Sequence, residues 1–289
     1  MFVLSLIANP NDMALTPQLV NQLAKETGGQ LNWLAQGIAC DIIAPKKQTK
    51  QIACEMYGNL PIDINLIKAQ GRRKNLLIAD MDSTMIEEEC IDELADTLGI
   101  KPQIADITAR AMNGELDFEQ ALETRVALLK GLERKVIEEI RRERITLAQG
   151  GRALVQTMKA YGAHTALISG GFSIFADYIA KRIGFDEAIA NQLEFENDHL
   201  NGKVTKPIVD ANVKLDRLRQ LASEKELPIA QTLAVGDGAN DLPMIKAAGL
   251  GVALHAKPIV AEQAQVKIDF GDLTALLYLQ GYGEDDIIR

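Results

Sequence analysis

The chain has 289 residues, a length at which about two domains are expected. Hydrophobic residues make up 47% and charged residues 25% of it, which is typical of a globular protein and excludes a disordered chain, a collagen-like repeat and a membrane bundle. The net charge of −9 repels polyanions, so nucleic acid is not an expected partner and any phosphate site must be built locally.

The cysteines and the N-terminal residues indicate the cellular compartment of the protein. Cys40, Cys54 and Cys90 form no CxxC pair, so neither a disulfide framework nor a zinc site is predicted, and a reducing compartment fits best. The apolar run within residues 1–10 has no basic region before it and indicates a strand, not a signal peptide. No run approaches the roughly 18 apolar residues that a membrane span needs. We therefore expect a cytoplasmic protein with no membrane partner.

Residues 1–70 are predicted to form a small α+β domain. Apolar or alternating stretches at 3–8, 31–44 and 62–67 predict strands, and helical spacing at 16–25 and 52–57 predicts helices. The order βαββαβ is typical of a ferredoxin-like layer of sheet and helices. The polar, basic stretch 70–74 is predicted to be the linker to the rest of the chain.

Residues 71–289 are predicted to form an α/β domain with a parallel sheet, because strand and helix patterns alternate and such units pack with right-handed crossovers. The strand candidates are 75–79, 165–168, 232–235, 251–254 and 266–268. Residues of about 86–149, inserted after the first of these strands, have an almost wholly helical pattern and predict a lid. A hairpin is predicted within 191–204, with its turn at Asn201-Gly202.

Polar clusters follow three of the predicted strands, at the edge of the sheet where ligands bind in open α/β folds. The first strand ends in Asp80-Met81-Asp82-Ser83-Thr84. Two carboxylates so close repel each other unless a metal ion or a shared proton offsets the repulsion. A helix cap with acidic neighbours is the alternative interpretation.

The other two clusters are less specific when each is taken alone. The segment 169–171 (SGG) exposes backbone N–H groups before a helix, which suits a phosphate, although ordinary turns use the same residues. The segment 236–241 (GDGAND) is neither a dinucleotide fingerprint nor an EF-hand loop. Lys214, between them, would by itself be a solvated helix lysine.

In this order along one sheet, the clusters and the lysine resemble the haloacid dehalogenase-like phosphotransferases. The resemblance extends over roughly residues 74–270. It is carried by 79–91 (ADMDSTMIEEECI), 111–130 (AMNGELDFEQALETRVALLK), 235–244 (VGDGANDLPM) and 254–258 (LHAKP). It implies a Rossmann-like core with a helical cap inserted after the first strand.

The resemblance also implies a Mg²⁺-dependent reaction through an aspartyl-phosphate. Asp80 would be the nucleophile, and Asp82 the general acid and then the general base. The carboxylates of Asp80 and Asp237 and the backbone carbonyl of Asp82 would hold Mg²⁺. Together with the metal ion, Lys214 would neutralise the phosphate, and Asp241 would orient Lys214 or metal-bound water.

The members that this chain resembles most act on a small molecule, O-phospho-L-serine, in the last step of serine synthesis. The resemblance implies that Glu89 binds the substrate ammonium and Arg125 its carboxylate. Taken without the resemblance, both are better interpreted as solvated surface charges. The other implied substrate-binding residues are Ser169, Gly170, Lys214, Asn240 and the apolar lid residues Met112 and Phe118.

The first 70 residues resemble the amino-acid-sensing ACT domain. Their first strand-to-helix turn, residues 9–13 (NPNDM), lacks the glycine that admits a ligand in many such domains. A homodimer contact or a packing role is therefore expected at least as much as a ligand site. Two further functions stay open: phosphoryl transfer to another hydroxyl, such as that of homoserine, and non-catalytic sensing of amino acids.

Overall fold

The computed structural model describes residues 2–44, 49–112 and 115–289. Its first part has the predicted βαββαβ order, in which an antiparallel sheet of order β2-β3-β1-β4 packs one apolar face on two helices. The elements are β1 (Phe2–Ala8), α1 (Pro17–Thr27), β2 (Gln30–Ala35), β3 (Ala39–Ala44), α2 (Thr49–Tyr57) and β4 (Ile62–Lys68).

The second part is built on a six-stranded sheet of order β12-β11-β10-β5-β6-β7, in which every neighbouring pair is parallel. The predicted parallel α/β fold is therefore confirmed. Along the chain the strands are β5 (Leu76–Ala79), β6 (His164–Phe172), β7 (Glu187–Asn191), the hairpin pair β8 (Leu193–Glu196) and β9 (His199–Val204), β10 (Thr232–Gly236), β11 (Leu250–Leu254) and β12 (Val266–Ile268).

Helices follow the strands, as repeated βα units require. The lid, inserted after β5, consists of α3 (Cys90–Thr97), α4 (Lys101–Met112), α5 (Phe118–Leu128) and α6 (Arg134–Glu143). The remaining helices are α7 (Gly151–Ala160), α8 (Ser173–Ile183), α9 (Ala211–Glu224), α10 (Leu242–Ala247), α11 (Pro258–Ala261) and α12 (Ala275–Leu279). None of the helices in the described ranges combines the length and the hydropathy needed to span a membrane.

The hairpin turns at Asn197-Asp198, so the predicted turn at Asn201-Gly202 is wrong. The φ angles of Asn197 and Asp198 are 52° and 61°, the left-handed conformation that two-residue hairpin turns require and that Asn and Asp tolerate. Gly202 lies inside β9, where a Cβ atom would come within 3.4 Å of the Cα atom of Ala127 in α5. Its role is close packing against the lid.

The predicted linker, 70–74, contacts both β3 and the C-terminal segment around α12. Arg72 donates hydrogen bonds to the carboxylate of Asp41 in β3 (2.5 Å) and to the carbonyl oxygen of Leu279 (2.9 Å). The backbone N–H of Lys74 donates to the side-chain oxygen of Gln280 (2.9 Å). These contacts join β3 to the C-terminal segment through buried or half-buried polar groups.

The N-terminal sheet contacts the second part along another edge as well. Asp63 in β4 accepts hydrogen bonds from the backbone N–H groups of Asp269 (2.7 Å) and Gly271 (2.8 Å). In the turn after β1, the side-chain amide of Asn9 donates to the carbonyl oxygen of Phe270 (3.0 Å). The turn in which many ACT domains bind a ligand therefore touches the second part of the chain, while the resemblance to ACT domains stays a prediction.

Candidate active site

The strand register brings the three polar clusters to one edge of the sheet. Ala79 at the end of β5 lies opposite Val235 of β10 on one side and Leu167 of β6 on the other. The backbone N–H of Asp80 donates to the carbonyl oxygen of Val235 (3.0 Å). Side chains that follow these three strands therefore meet, although long stretches of chain separate them.

A lysine and two aspartates form a buried ion-pair network at this edge. The Nζ atom of Lys214 donates to Oδ1 of Asp80 (2.5 Å) and to Oδ1 of Asp241 (2.6 Å), and its side chain is fully buried. Burial acts to lower the pKa of Lys214, but the carboxylates of Asp241 and Asp80 together raise it above its usual range. The side chain of Asp210 caps the start of α9 and so fixes the turn that carries Lys214.

Three carboxylates lie close enough to share a metal ion. One oxygen each from Asp80, Asp237 and Asp241 lies within 4.8 Å of the others. Burial, and then the charge of Asp241, raises the pKa of Asp80 well above its usual range and that of Asp237 to about 6. Lys214 alone does not balance three negative charges. Hard carboxylate oxygens with an excess of negative charge fit a divalent cation such as Mg²⁺.

The side chain of Asp82 lies apart from this cluster and connects the core to the lid. Its Oδ1 accepts from the backbone N–H of Cys90 at the start of α3 (2.8 Å), and its Oδ2 accepts from the hydroxyl of Ser169 (3.2 Å). Burial is the main reason that the pKa of Asp82 is raised. A carboxyl group that keeps its proton closer to neutral pH suits a general acid.

Residues 169–171, predicted as a turn after the strand, instead belong to β6, in the irregular stretch where its register with β7 shifts between Ile168 and Phe172. We call this stretch the turn 169–171, and it requires its glycines because other groups approach it closely. The backbone N–H of Gly171 donates to the hydroxyl oxygen of Ser169 (2.8 Å). A Cβ atom at Gly171 would lie 2.5 Å from Oδ2 of Asp82, and one at Gly170 would lie 3.1 Å from the ring of Phe118. The turn thus packs against the acidic residue on one side and the lid on the other.

A cavity of about 630 Å³ lies between this edge and the lid. Most predicted site residues line it: Asp80, Asp82, Glu89, Phe118, Arg125, Ser169, Gly170, Asp237 and Asn240. Lys214 and Asp241 lie behind the cavity wall and are fully buried. Met112 ends α4, and its side chain lies outside the part of the chain that the structure describes.

Two side chains of opposite charge face the cavity near the lid. Glu89 accepts a hydrogen bond from the hydroxyl of Ser83 (2.7 Å). Desolvation by the surrounding protein, and then the charge of Asp82, raises the pKa of Glu89 to about 7. Arg125 in α5 donates from Nε to the carbonyl oxygen of Ala121 (3.2 Å), which orients its guanidinium. Burial lowers the pKa of Arg125, and the charge of Glu89 acts in the opposite direction.

Sequence reasoning missed three polar residues here. Thr84 donates to Oδ1 of Asp237 (3.2 Å), and both Asp92 and Lys257 line the cavity. The backbone N–H of Lys257 donates to the carbonyl oxygen of Asp237 (3.2 Å). Lys257 belongs to the segment 254–258, which is one of those that carry the family resemblance. That membership could have marked Lys257 as a site residue, but no pattern in the segment indicates where its side chain lies.

A parallel sheet with buried carboxylates at its carboxyl edge, under an inserted helical lid, defines the class: an α/β fold with a candidate acidic active site beneath a helical cap. The model of one family, described as haloacid dehalogenase-like hydrolase, matches residues 77–246. The chain belongs to this family, which confirms the resemblance found in the sequence.

Two relatives of the chain are named phosphoserine phosphatase. The chain is 43% identical over 230 residues to a phosphoserine phosphatase of Streptomyces coelicolor and 45% identical over 204 residues to one of Lactococcus lactis. These matches cover 79% and 71% of this chain, and 56% and 94% of the relatives. The chain thus spans little more than half of the Streptomyces protein.

One solved structure resembles both parts of the chain. It is a probable phosphoserine phosphatase from Vibrio cholerae in unliganded form, with a TM-score of 0.80 and 34% sequence identity. The likeness covers 99% of this chain and 88% of that one. It therefore includes the N-terminal antiparallel sheet as well as the core and the lid.

Proposed function

We propose that this chain is a Mg²⁺-dependent phosphatase that hydrolyses O-phospho-L-serine to L-serine and phosphate. One observation carries the proposal: a single cavity holds Asp80 and Asp82 at the sheet edge and the opposite charges of Glu89 and Arg125 at the lid. The first pair suits phosphoryl transfer, and the second pair matches the ammonium and carboxylate of an amino acid. The names of the relatives support the same substrate.

In the first step, a carboxylate oxygen of Asp80 attacks phosphorus and the bond from phosphorus to the serine oxygen breaks. Lys214 engages Oδ1 of Asp80, which leaves the second oxygen for the attack. The departing serine oxygen takes the proton of the Asp82 carboxyl group. The hydroxyl of Ser169 and the N–H of Gly170 hold the phosphoryl oxygens, so the reacting atoms are positioned before the bond forms.

In the second step, water cleaves the aspartyl-phosphate. Asp82, now ionised, takes a proton from the water molecule whose oxygen attacks phosphorus, and the bond to Asp80 breaks. Phosphate leaves and the Asp80 carboxylate is restored, so each residue ends in its starting protonation state. Asp82 acts in both steps from one place because the backbone N–H of Cys90 holds its Oδ1.

The carboxylates of Asp80 and Asp237 and the backbone carbonyl of Asp82 would hold the metal ion. A bound Mg²⁺ would neutralise the charge that otherwise keeps an anionic nucleophile from a phosphate dianion. Lys214 contributes a fixed positive charge behind Asp80, and Asp241 orients it. Thr84 holds Asp237 through its hydroxyl.

The metal site predicts a pH-dependent stabilisation by Mg²⁺. The pKa of Asp237 is raised to about 6. The metal-free protein therefore loses stability as the pH rises towards 6 and the buried carboxyl group ionises. Below pH 6, a proton competes with the cation for the same carboxylate. We expect 5 mM Mg²⁺ to raise the melting temperature by about 2–5 °C at pH 7.5 relative to EDTA, and by less at pH 5.5. Differential scanning fluorimetry measures both. Equal shifts at the two pH values, or an undiminished shift in Asp237→Asn, would contradict the assignment.

The substrate assignment is tested by Arg125→Ala. We expect kcat/KM for O-phosphoserine to fall about 10²-fold, because a charged hydrogen-bonded pair contributes roughly 1.5–3 kcal/mol. The fall for O-phosphoethanolamine, which lacks the carboxylate, is expected to stay below about 3-fold. Phosphate release with Mg²⁺ measures both rates. Equal losses on the two substrates would assign Arg125 to lid packing.

Two controls belong to this experiment. Arg110→Ala, in the neighbouring helix α4, removes an exposed arginine that pairs with Glu115 at 3.3 Å and is expected to leave both rates within about 2-fold. The wild-type chain is also assayed on sugar phosphates and with EDTA. Equal rates on sugar phosphates, or full activity without metal, would contradict the proposed function. A phosphorylated alcohol among the products would indicate phosphoryl transfer to that alcohol instead of hydrolysis.

A further inference from the structure

The end of β7 holds a buried asparagine that neither the sequence analysis nor the mechanism uses. Asn191 is 1% exposed, and in the parallel pair of β6 and β7 it lies opposite Phe172. Its side-chain amide donates to the carbonyl oxygens of Gly170 (2.8 Å) and Val209 (3.4 Å), and its side-chain oxygen accepts from the backbone N–H of Val209 (2.7 Å). Asn191 thus joins the turn 169–171 to the segment that leads into α9.

The bond to Gly170 fixes the orientation of one peptide group. Because a trans peptide is planar, its C=O and N–H point in opposite directions. The carbonyl of Gly170 and the N–H of Gly171 belong to the same peptide group. While the carbonyl points to Asn191, the N–H points to the hydroxyl oxygen of Ser169, to which it donates (2.8 Å).

The chain of hydrogen bonds continues to the reacting groups. Since the hydroxyl oxygen of Ser169 accepts from Gly171, its own hydrogen is free for another acceptor, and in this structure that acceptor is Oδ2 of Asp82 (3.2 Å). Three consecutive bonds therefore run from Asn191 to Asp82. Glycine peptides rotate easily, so a turn with two successive glycines needs an external bond to hold this orientation.

We propose that Asn191 is a positioning residue that sets the Gly170–Gly171 peptide and, through it, the phosphoryl-binding hydroxyl of Ser169. The inference rests on the proposed function, in which Ser169 contacts the phosphoryl group. At its other end, the bond to Val209 ties the same turn to the residue before Asp210, which caps the helix that carries Lys214. One side chain therefore holds the phosphate turn in register with the lysine segment.

The test replaces one nitrogen by oxygen. Asn191→Asp keeps the acceptor for the N–H of Val209, but its carboxylate cannot donate to the carbonyl oxygen of Gly170, or to the more distant one of Val209, and repels both. With Mg²⁺ bound, we expect the dissociation constant of inorganic phosphate, measured by calorimetry, to rise about 10-fold and kcat to fall about 10–100-fold, since small displacements of positioning groups cost that much. Unchanged phosphate affinity and kcat would overturn the inference.

Asn65 provides a matched control. It is also 1% exposed, and its side chain makes the same double contact with a backbone, donating to the carbonyl oxygen of Lys267 (2.9 Å) and accepting from its N–H (3.4 Å). It lies between the two sheets, away from the cavity. Asn65→Asp is expected to lower the melting temperature as Asn191→Asp does, while phosphate affinity and kcat change less than about 2-fold. Equal kinetic losses in both variants would reduce Asn191 to a structural role.

A double-mutant cycle with Ser169→Ala tests the route of the effect. If Asn191 acts through the hydroxyl of Ser169, Asn191→Asp should change phosphate affinity less than about 3-fold once that hydroxyl is absent. Additive losses would overturn the inference. Should Asn191→Asp not fold, Asn191→Ser, which leaves room for a water molecule, takes its place in the same cycle.

The outcomes for the two proposals are separable. A wild-type chain that fails to hydrolyse O-phosphoserine overturns the proposed substrate, while the calorimetric phosphate series still decides the role of Asn191. A wild-type chain that binds no phosphate in the presence of Mg²⁺ overturns the inference about Asn191 itself.

Discussion

Asp80→Asn is expected to lower phosphate release from O-phosphoserine at least about 10³-fold, because an amide oxygen does not form the aspartyl-phosphate. The substitution keeps the shape of the side chain and its position after β5, so the fold should persist. Steady-state phosphate release with Mg²⁺ measures the loss. Circular dichroism and the melting temperature show whether the variant is folded.

The covalent step has its own readout. Rapid acid quench of the wild-type enzyme with ³²P-labelled substrate should leave a hydroxylamine-sensitive label on the peptide that contains Asp80, and Asp80→Asn should give none. Asp216→Asn, on the surface of α9 with a side chain 75% exposed, is the control and should retain activity within about 2-fold. A label on another residue, or full turnover by Asp80→Asn, would contradict the nucleophile assignment.

Lys214→Met is expected to destabilise the protein by about 3–5 kcal/mol, the usual effect of removing one partner from a buried ion pair. Methionine occupies a similar volume, but it leaves Asp80 and Asp241 facing each other without the cation that now lies 2.5 and 2.6 Å from them. The raised pKa of Lys214 keeps it charged throughout the neutral range. Urea denaturation in EDTA at pH 7.5 measures the free energy of unfolding, and hydrolysis should be lost as well.

A second substitution distinguishes charge from packing. If the loss arises from unpaired carboxylates, adding Asp241→Asn to Lys214→Met should recover at least about 1 kcal/mol. Lys246→Met, at an exposed lysine that donates to Gln263, should change stability by less than about 0.5 kcal/mol. A Lys214→Met variant as stable as the wild type would show that the network contributes nothing to folding.

The sequence was sufficient to predict elements whose patterns are local. The βαββαβ order, the parallel sheet and the helical insertion follow from periodicity, because apolar spacing depends on the repeat of the helix or strand itself. The turn at Asn197-Asp198 was missed because Asn201-Gly202 is the stronger hairpin signal. Gly202 instead serves a contact with Ala127 of α5, and such a contact leaves no local pattern.

The strand β7 was missed because its five residues, EAIAN, carry neither a long apolar run nor a clear alternation. It is an edge strand, paired on one side with β6. Such a strand needs fewer apolar residues than a central one. Without β7, the contact of Asn191 with the turn 169–171 could not be predicted, since no local sequence pattern near Asn191 connects the two.

By itself, the sequence determined which chemical groups this protein has and in which order the chain delivers them: carboxylates at 80, 82, 237 and 241, a glycine turn at 169–171 and a lysine at 214. Only the tertiary structure decided which groups touch. It paired Lys214 with both Asp80 and Asp241, directed the side chain of Asp82 to Cys90 and Ser169, and placed Glu89 and Arg125 around one cavity. Strand register and lid packing set these distances, and both depend on contacts between residues far apart in the chain.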